Sequence, residues 1–311
     1  MGTAVVFPGQ GTQFAQMGLP WRATSHWDVV ARAEAALGEP GRLSNLLLDA
    51  SDEDLGRTLE AQLSVFVCSL MAWSAVQEAA SDEVLAPVAF AGHSLGQLTA
   101  LVAAGALSLD DGIRLVARRA AATQASADRR PGRMAALVGS DLATAEAACT
   151  TVEGAWVAND NAPGQVVIGG TPDGVEAASA TAKDLGVRRV IALKVGGAFH
   201  TPLFEDAAAE LRPTLAATRF VTPTVPVVSN VDAAPHTDPA DWPQQLADHL
   251  VSPVRWRQSL EALSQLGADS LVEVGPGAVL AGLARRTIPG VTVHNVAGPA
   301  DAASLLSLEV C

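Results

Sequence analysis

Cysteine is scarce in this 311-residue chain. Cys68, Cys149 and Cys311 form an odd, scattered set that offers neither a disulfide framework nor metal-ligand spacing, and Cys68 reads as core filling. Basic charge is scarce as well. Lysine occurs only at Lys183 and Lys194, and the net charge of -13 excludes the basic footprint that nucleic-acid binding needs. Although 49% of the residues are hydrophobic, they are alanine-rich and dispersed, so no membrane-spanning helix is expected. The first residues, Thr3-Ala4-Val5-Val6-Phe7, lack the basic region and cleavage site of a signal peptide, which makes the cytoplasm the expected location. Internal repeats and low-complexity tails are missing too. What remains is a globular chain long enough for a large core, arranged as one big domain or as one with a smaller domain inserted.

The stretch around which the chain is organised runs from Val84 to Leu107. Val84 to Ala91 is an apolar run of strand length, and Leu95 to Leu107 carries small and apolar residues at helical spacing. Between them lies Gly92-His93-Ser94-Leu95-Gly96, a Gly-x-Ser-x-Gly elbow. Its glycines allow a tight strand-to-helix turn that lifts the serine hydroxyl out of the backbone. The following helix start supplies free N–H groups and a positive dipole, which suit an oxyanion forming on an acyl carbonyl.

An acidic chain that handles an anion must do so with local arginines, and these come in pairs: Arg118-Arg119, Arg129-Arg130, Arg188-Arg189, Arg255 with Arg257, and Arg285-Arg286. Ser108-Leu109-Asp110-Asp111 opens a helix that bears Arg118 and Arg119. Neighbours on a helix lie about 100° apart, so only one can face inward, and an inward arginine calls for a carboxylate or phosphate. Gln62 is a polar residue on an apolar helical face, either a satisfied amide or a donor lining a site. Pro8-Gly9-Gln10-Gly11-Thr12-Gln13 leaves the first strand as a glycine-rich loop, yet it lacks the lysine of a P-loop and the spacing of a dinucleotide fingerprint. Such a loop can instead lend a backbone N–H to a site on a neighbouring strand.

Arg129-Arg130-Pro131-Gly132-Arg133 is the clearest break. Beyond it the pattern reads strand, helix, strand, strand, helix, strand, the order of a ferredoxin-like split unit. The expected fold is therefore α/β: a large α/β-hydrolase-like domain with a parallel sheet core, residues 1–130 and 196–311, and an inserted ferredoxin-like small domain, residues 131–195. Gly196-Gly197-Ala198-Phe199-His200 returns the chain to the large domain. Of the six histidines, His200 is the one at the domain junction, where ligand clefts are favoured. His93 abuts Ser94 but is expected to point away from it.

These motifs together resemble the malonyl-CoA:acyl carrier protein transacylases and the acyltransferase domains of polyketide synthases. The resemblance rests on FPGQGTQ (Phe7 to Gln13), GHSLG (Gly92 to Gly96), Arg119, NAPGQVVIGG (Asn161 to Gly170), GAFH (Gly197 to His200), SPVRW (Ser252 to Trp256) and EVGPG (Glu273 to Gly277), in the family's order over nearly the whole chain. It implies Ser94 as nucleophile and His200 as its general base, in a dyad whose histidine is oriented by a backbone carbonyl of the His249 to Ser252 segment. It implies an oxyanion hole from the backbone N–H groups of Gln10 and Leu95, and Arg119 as the group that grips a free carboxylate on the acyl unit. Gln62, Phe199 and Asn161 would complete the substrate site, with Phe199 and Leu95 the pair that accompanies malonyl rather than methylmalonyl in related domains.

The implied substrates are an acyl-CoA donor and the phosphopantetheine thiol of an acyl carrier protein, with no bound cofactor, no metal, and a monomer in fatty acid or polyketide synthesis. The chain departs from the family at Gln97, where glutamate is usual, and at Leu63, where proline is usual. The alternatives are transfer of another acyl unit between carriers, an α/β-type thioesterase or acyl hydrolase using Asp173 or Asp184 as third triad member, and a carrier-binding module without catalysis. A carrier, itself acidic, would have to dock on a local basic patch, at Arg129, Arg130 and Arg133 or at Arg188 and Arg189.

Overall fold

A computed structural model describes residues 2–79 and 86–305. Val84, where the expected strand before the elbow begins, and Cys311 lie outside that set.

The chain opens with β1 (Gly2–Phe7), followed by α1 (Asp28–Leu37), α2 (Arg42–Leu48), α3 (Asp52–Leu55) and α4 (Thr58–Ala79). Gly38, at φ +71°, stops α1, dividing what reads in sequence as one helical segment, Trp27 to Leu48. Helix α4 amends the expectation about apolar length. It is long and apolar enough to cross a membrane, with a mean hydropathy of 1.5, but 83% of that window is buried inside the protein. Its apolar residues run all round the helix because it is the central core element, packed against α6 and α13.

Strand β2 (Pro87–Gly92) leads through the elbow into α5 (Gly96–Ala103), and α6 (Leu109–Arg129) follows, capped by the Ser108 hydroxyl, which accepts from the Asp111 N–H at 3.1 Å. Then come β3 (Arg133–Val138), α7 (Leu142–Thr150), β4 (Ala155–Ala162), β5 (Gln165–Gly170), α8 (Pro172–Asp184) and β6 (Arg189–Ala192). The remainder is α9 (Glu205–Ala217), β7 (Val227–Val228), β8 (Pro235–His236), α10 (Trp242–Asp248), α11 (Trp256–Gln265), β9 (Ala268–Val274), α12 (Val279–Thr287), β10 (Thr292–Val296) and α13 (Pro299–Leu305).

Two sheets carry the architecture. The larger has six strands in the order β10-β9-β1-β2-β7-β8, all parallel except the β7–β8 pair. Helices cover both faces, as a mostly parallel sheet requires. One face is buried by the cluster that includes Phe7, Trp21, Phe66 and Leu98, the other by Trp256, Leu260, Leu271 and Leu283. The smaller sheet, order β4-β5-β3-β6, is antiparallel throughout and packs α7 and α8 over Leu137, Ile168 and Val166, the ferredoxin-like arrangement. Thus the fold is α/β, with a large parallel-sheet part and a small ferredoxin-like one.

The two sheets are stitched together where β4 meets the loop before α11. Asn159 bridges Val254, Val254 N–H donates to Ala158 O, and Asp160 N–H donates to Val254 O, both at 2.9 Å. The nearly buried Asp160 carboxylate pairs with Arg257 Nη2 at 2.9 Å across the same seam. Strand β7 is only two residues long, since Pro223 and Pro226 have no N–H to give a ladder. Past Val228, the Asn230 N–H is committed to the Gln97 side chain rather than to the sheet.

Candidate active site

Ser94 stands where β2, at the centre of the large sheet, turns into α5. Its φ is +53°, a left-handed conformation that is uncommon for a residue with a side chain and is held only by its surroundings. The flanking glycines are required by close approach. A Cβ on Gly92 would lie 1.9 Å from Gly96 O, and one on Gly96 would lie 2.1 Å from Phe7 O. Short apolar residues in β1 and β2, a glycine at each side of the turn, and the loop leaving β1 therefore bring the hydroxyl to the C-terminal edge of the sheet.

His200 reaches the same point from 106 residues downstream. It is also left-handed, at φ +62°, and only 4% exposed. Its Nδ1 lies 2.7 Å from His249 O, and a carbonyl only accepts, so Nδ1 carries the hydrogen. The Nε2 lone pair is then free to accept from Ser94 Oγ–H, at 2.7 Å. Burial, the Arg119 charge and His93 lower the His200 pKa to about 3, against the opposing pull of the His249 hydrogen bond. The imidazole is therefore neutral and able to take a proton at physiological pH. His249 itself, whose ring lies 4.8 Å away, is held well below the usual histidine range, first by burial and then by His200 and Arg119.

Helix α6 turns Arg119 inward and leaves Arg118 exposed. Arg119 is 5% exposed; Nη1 donates to Gln62 Oε1 at 2.5 Å and Nη2 to Ser94 Oγ at 3.3 Å. Among the described residues no carboxylate pairs with it, and burial lowers its pKa to about 10. A cation desolvated this far without a counter-charge is a site for an anion. Gln62 holds the guanidinium from behind and is not among the residues that line the cavity. The sequence left two uses open for Gln62, and the side chain acts as the arginine's anchor.

Gln10, on the loop after β1, and Leu95, at the start of α5, both line the cavity beside Ser94. Neither backbone N–H finds an acceptor among the described residues. The Ser94 N–H, in contrast, is taken by Asn230 Oδ1 at 2.8 Å. Asn230 was not singled out in the sequence; the only hint is its position just after an apolar strand.

The cavity holds about 380 Å³. Phe199 stacks on Phe204 with ring centroids 5.0 Å apart and closes one side. On the opposite wall β4 departs from regular pairing between Val157 and Asn159 and again between Asp160 and Ala162, and such bulges re-aim side chains beside sites. Asn159 and Asn161 both reach the cavity there, and Asn161 Oδ1 lies 2.9 Å from His93 Nε2. His93 thus lines the cavity, backed by Trp256 at 5.4 Å, instead of pointing away. At the mouth stand Leu193, Lys194 and Val279. The buried Glu273 carboxylate accepts from Leu280 N–H at 3.1 Å and Ala281 N–H at 2.7 Å, which fixes the start of α12 at this wall.

Among the described residues no acid serves His200. Asp173 and Asp184, the third members a hydrolase triad would need, are exposed on α8, and the Nδ1 position is filled by a carbonyl. Of the basic patches, Arg129 is paired with Asp206 at 2.6 Å, whereas Arg188 and Arg189 are exposed.

The acyl transferase domain family model matches residues 4–303. The malonyl CoA-acyl carrier protein transacylase of Salmonella typhimurium is 37% identical over 311 residues, covering 98% of each chain. The acyl-carrier-protein S-malonyltransferase of Burkholderia pseudomallei has a similar structure, with a TM-score of 0.93 at 35% identity over 99% of this chain and 100% of that one. A malonyl-transacylase solved in complex with a type II polyketide acyl-carrier protein has the same TM-score, 0.93, at 32% identity over 99% of this chain and 100% of that one.

Proposed function

This chain belongs to the acyl transferase domain family, and from that premise we propose that it moves a malonyl group from CoA to the phosphopantetheine thiol of an acyl carrier protein, through an ester on Ser94. The observation that carries the reading is one cluster: Ser94 Oγ lies 2.7 Å from His200 Nε2 and 3.3 Å from a buried guanidinium that has no carboxylate partner among the described residues.

In the first half-reaction Ser94 Oγ attacks the thioester carbonyl while His200 Nε2 takes the hydroxyl proton. The carbonyl oxygen becomes an oxyanion, held by the N–H groups of Gln10 and Leu95. Collapse of the tetrahedral intermediate breaks the C–S bond, and His200 returns the proton to the departing CoA sulfur. The carrier thiol then repeats the sequence in reverse: it gives its proton to His200, attacks the seryl ester, and leaves Ser94 as the free alcohol. His249 O keeps the imidazole in the tautomer that serves both directions. Arg119 pairs with the malonyl carboxylate, anchored by Gln62, and Phe199 leaves little room for a branch on the α-carbon. Asn161, steadied by His93, offers an amide to the pantetheine arm along the wall. None of these steps needs a resident cofactor or metal.

On the same reading residues 1–130 and 196–311 form the catalytic part and residues 131–195 an inserted lobe, with the cleft between them as the substrate channel. The carrier docks on the face of β6, where Lys194 at the cavity and the exposed Arg188 and Arg189 at the other end of the strand offer positive charge to an acidic partner. The enzyme works as a cytoplasmic monomer. Intact-mass measurement after mixing with malonyl-CoA tests the core of this reading: one malonyl group should appear on the wild-type protein, transfer to holo-carrier on its addition, and fail to appear on Ser94→Ala. A Ser94→Ala protein that still acquires the group refutes it.

A further inference from the structure

Asn230 is completely buried, and each of its polar groups is committed to the elements that carry the catalytic pair. Its side-chain Oδ1 accepts from the Ser94 N–H at 2.8 Å, and its Nδ2 donates to Gly92 O at 2.9 Å, one residue to each side of His93. Its backbone N–H donates to Gln97 Oε1, in the first turn of α5, at 2.9 Å. Its backbone carbonyl accepts from Arg255 N–H at 3.0 Å, at the end of the loop that begins with the His249 carbonyl. One residue thus joins the elbow to the segment that orients His200.

Ser94 and His200 both adopt left-handed backbone conformations, which persist only where surrounding contacts over-determine them. By occupying the Ser94 N–H, Asn230 also leaves Leu95 as the donor of the elbow that faces the cavity. We infer that Asn230 is a positioning residue, whose amide side chain fixes the strained Ser94 backbone so that the hydroxyl meets His200 and the Leu95 N–H meets the oxyanion. The inference rests on Ser94 being the nucleophile of the proposed function. Loss of the amide leaves Ser94 N–H and Gly92 O buried without partners, and the elbow relaxes.

The test compares wild type with Asn230→Ala, Asn230→Asp and Ser229→Ala. Asn230→Asp keeps size and the acceptor for Ser94 but replaces the donor to Gly92 O by an oxygen. Ser229→Ala is the packing control, since the Ser229 hydroxyl meets Gln245 and not the elbow. Two rates are followed by intact mass, labelling of Ser94 by malonyl-CoA and by a small sulfonyl fluoride, together with KM for malonyl-CoA and the thermal midpoint. Both Asn230 variants should label roughly 10-fold to 100-fold more slowly with both reagents while KM stays near the wild-type value, because a small misplacement of the reacting group costs about that much. Ser229→Ala should label at the wild-type rate.

A folded Asn230 variant that labels at the wild-type rate overturns the inference, as does a Ser229→Ala protein slowed to the same extent. Should Asn230→Ala fail to fold, Asn230→Asp decides alone. Wild-type protein that reacts with the sulfonyl fluoride but not with malonyl-CoA sinks the proposed function instead, and the sulfonyl fluoride rates still decide the role of Asn230.

Discussion

Replacing Arg119 by alanine removes the one group that distinguishes a carboxylated acyl unit from a plain one. The structure sets the scale. Burial lowers the arginine's pKa from 12.5 to about 10, and at 1.36 kcal/mol per unit that is about 3 kcal/mol of desolvation. A malonyl carboxylate that meets the guanidinium relieves this cost and gains charge-assisted hydrogen bonds. Truncating one partner of such a buried charged pair costs roughly 2 to 5 kcal/mol, equivalent to about 30-fold to several-thousand-fold in kcat/KM. Acetyl-CoA has no carboxylate to lose, and Arg119→Ala removes a buried charge, so acetyl loading should fall little or even rise. The assay is stopped-flow or quench-flow acylation of Ser94 with both donors at matched concentrations, each read by intact mass. The ratio of malonyl to acetyl kcat/KM should drop by at least about 30-fold. Equal losses for both donors would refute the carboxylate role and reduce Arg119 to a support for the Ser94 hydroxyl, 3.3 Å away.

Phe199→Ser should widen the room beside the α-carbon and shift the malonyl-to-methylmalonyl preference by about 1 to 3 kcal/mol, measured as the ratio of kcat/KM in a donor competition. Because His200 is neutral down to about pH 3 in the folded protein, kcat/KM for malonyl-CoA should show no acid limb near pH 6.5 wherever the protein remains folded; an inflection there would contradict the buried, neutral base. The same depressed pKa governs stability. The unfolded chain binds a proton near 6.5 that the folded one refuses, so the His200 contribution is complete above about pH 6.5 and is lost as pH falls toward 3, amounting to about 3 kcal/mol by about pH 4.5 in urea titrations. Gly92→Ala should fail to fold or lose more than about 4 kcal/mol, since its Cβ would sit 1.9 Å from Gly96 O; a stable, active Gly92→Ala protein would mean the elbow is looser than described.

Much of the site was legible in sequence because its parts are local. A glycine on each side of Ser94 is a steric demand written into five consecutive residues, and helical geometry dictates that only one of Arg118 and Arg119 can face inward, with Arg119 indicated by the family resemblance and the packing of α6 deciding it. The six-element pattern after Gly132 likewise reads as the small sheet, since alternation and turn residues are short-range signals. Other features were not legible. Helix α9 contains Pro213 and an alanine-rich face, which blur its period. The all-round apolarity of α4 escaped notice as a membrane-like segment because its polar residues interrupt the run, while packing on every side makes it a core helix. His93 looked directed away from the site, yet the bulged β4 brings Asn161 to its ring.

The residues of the chemistry and their types were determined by the amino-acid order alone: a serine on a strained turn, a histidine after a glycine-rich loop, an arginine on an amphipathic helix. Only the tertiary structure decided that His200 Nδ1 meets a carbonyl and not an acid, that Arg119 has no counter-charge among the described residues while Gln62 steadies it, and that Asn230 braces the turn. The reason is physical. Turns and helices are fixed by contacts a few residues apart, whereas the protonation, tautomer and free charge of a buried group depend on partners that lie 49 to 136 residues away and meet only when the sheets close over them.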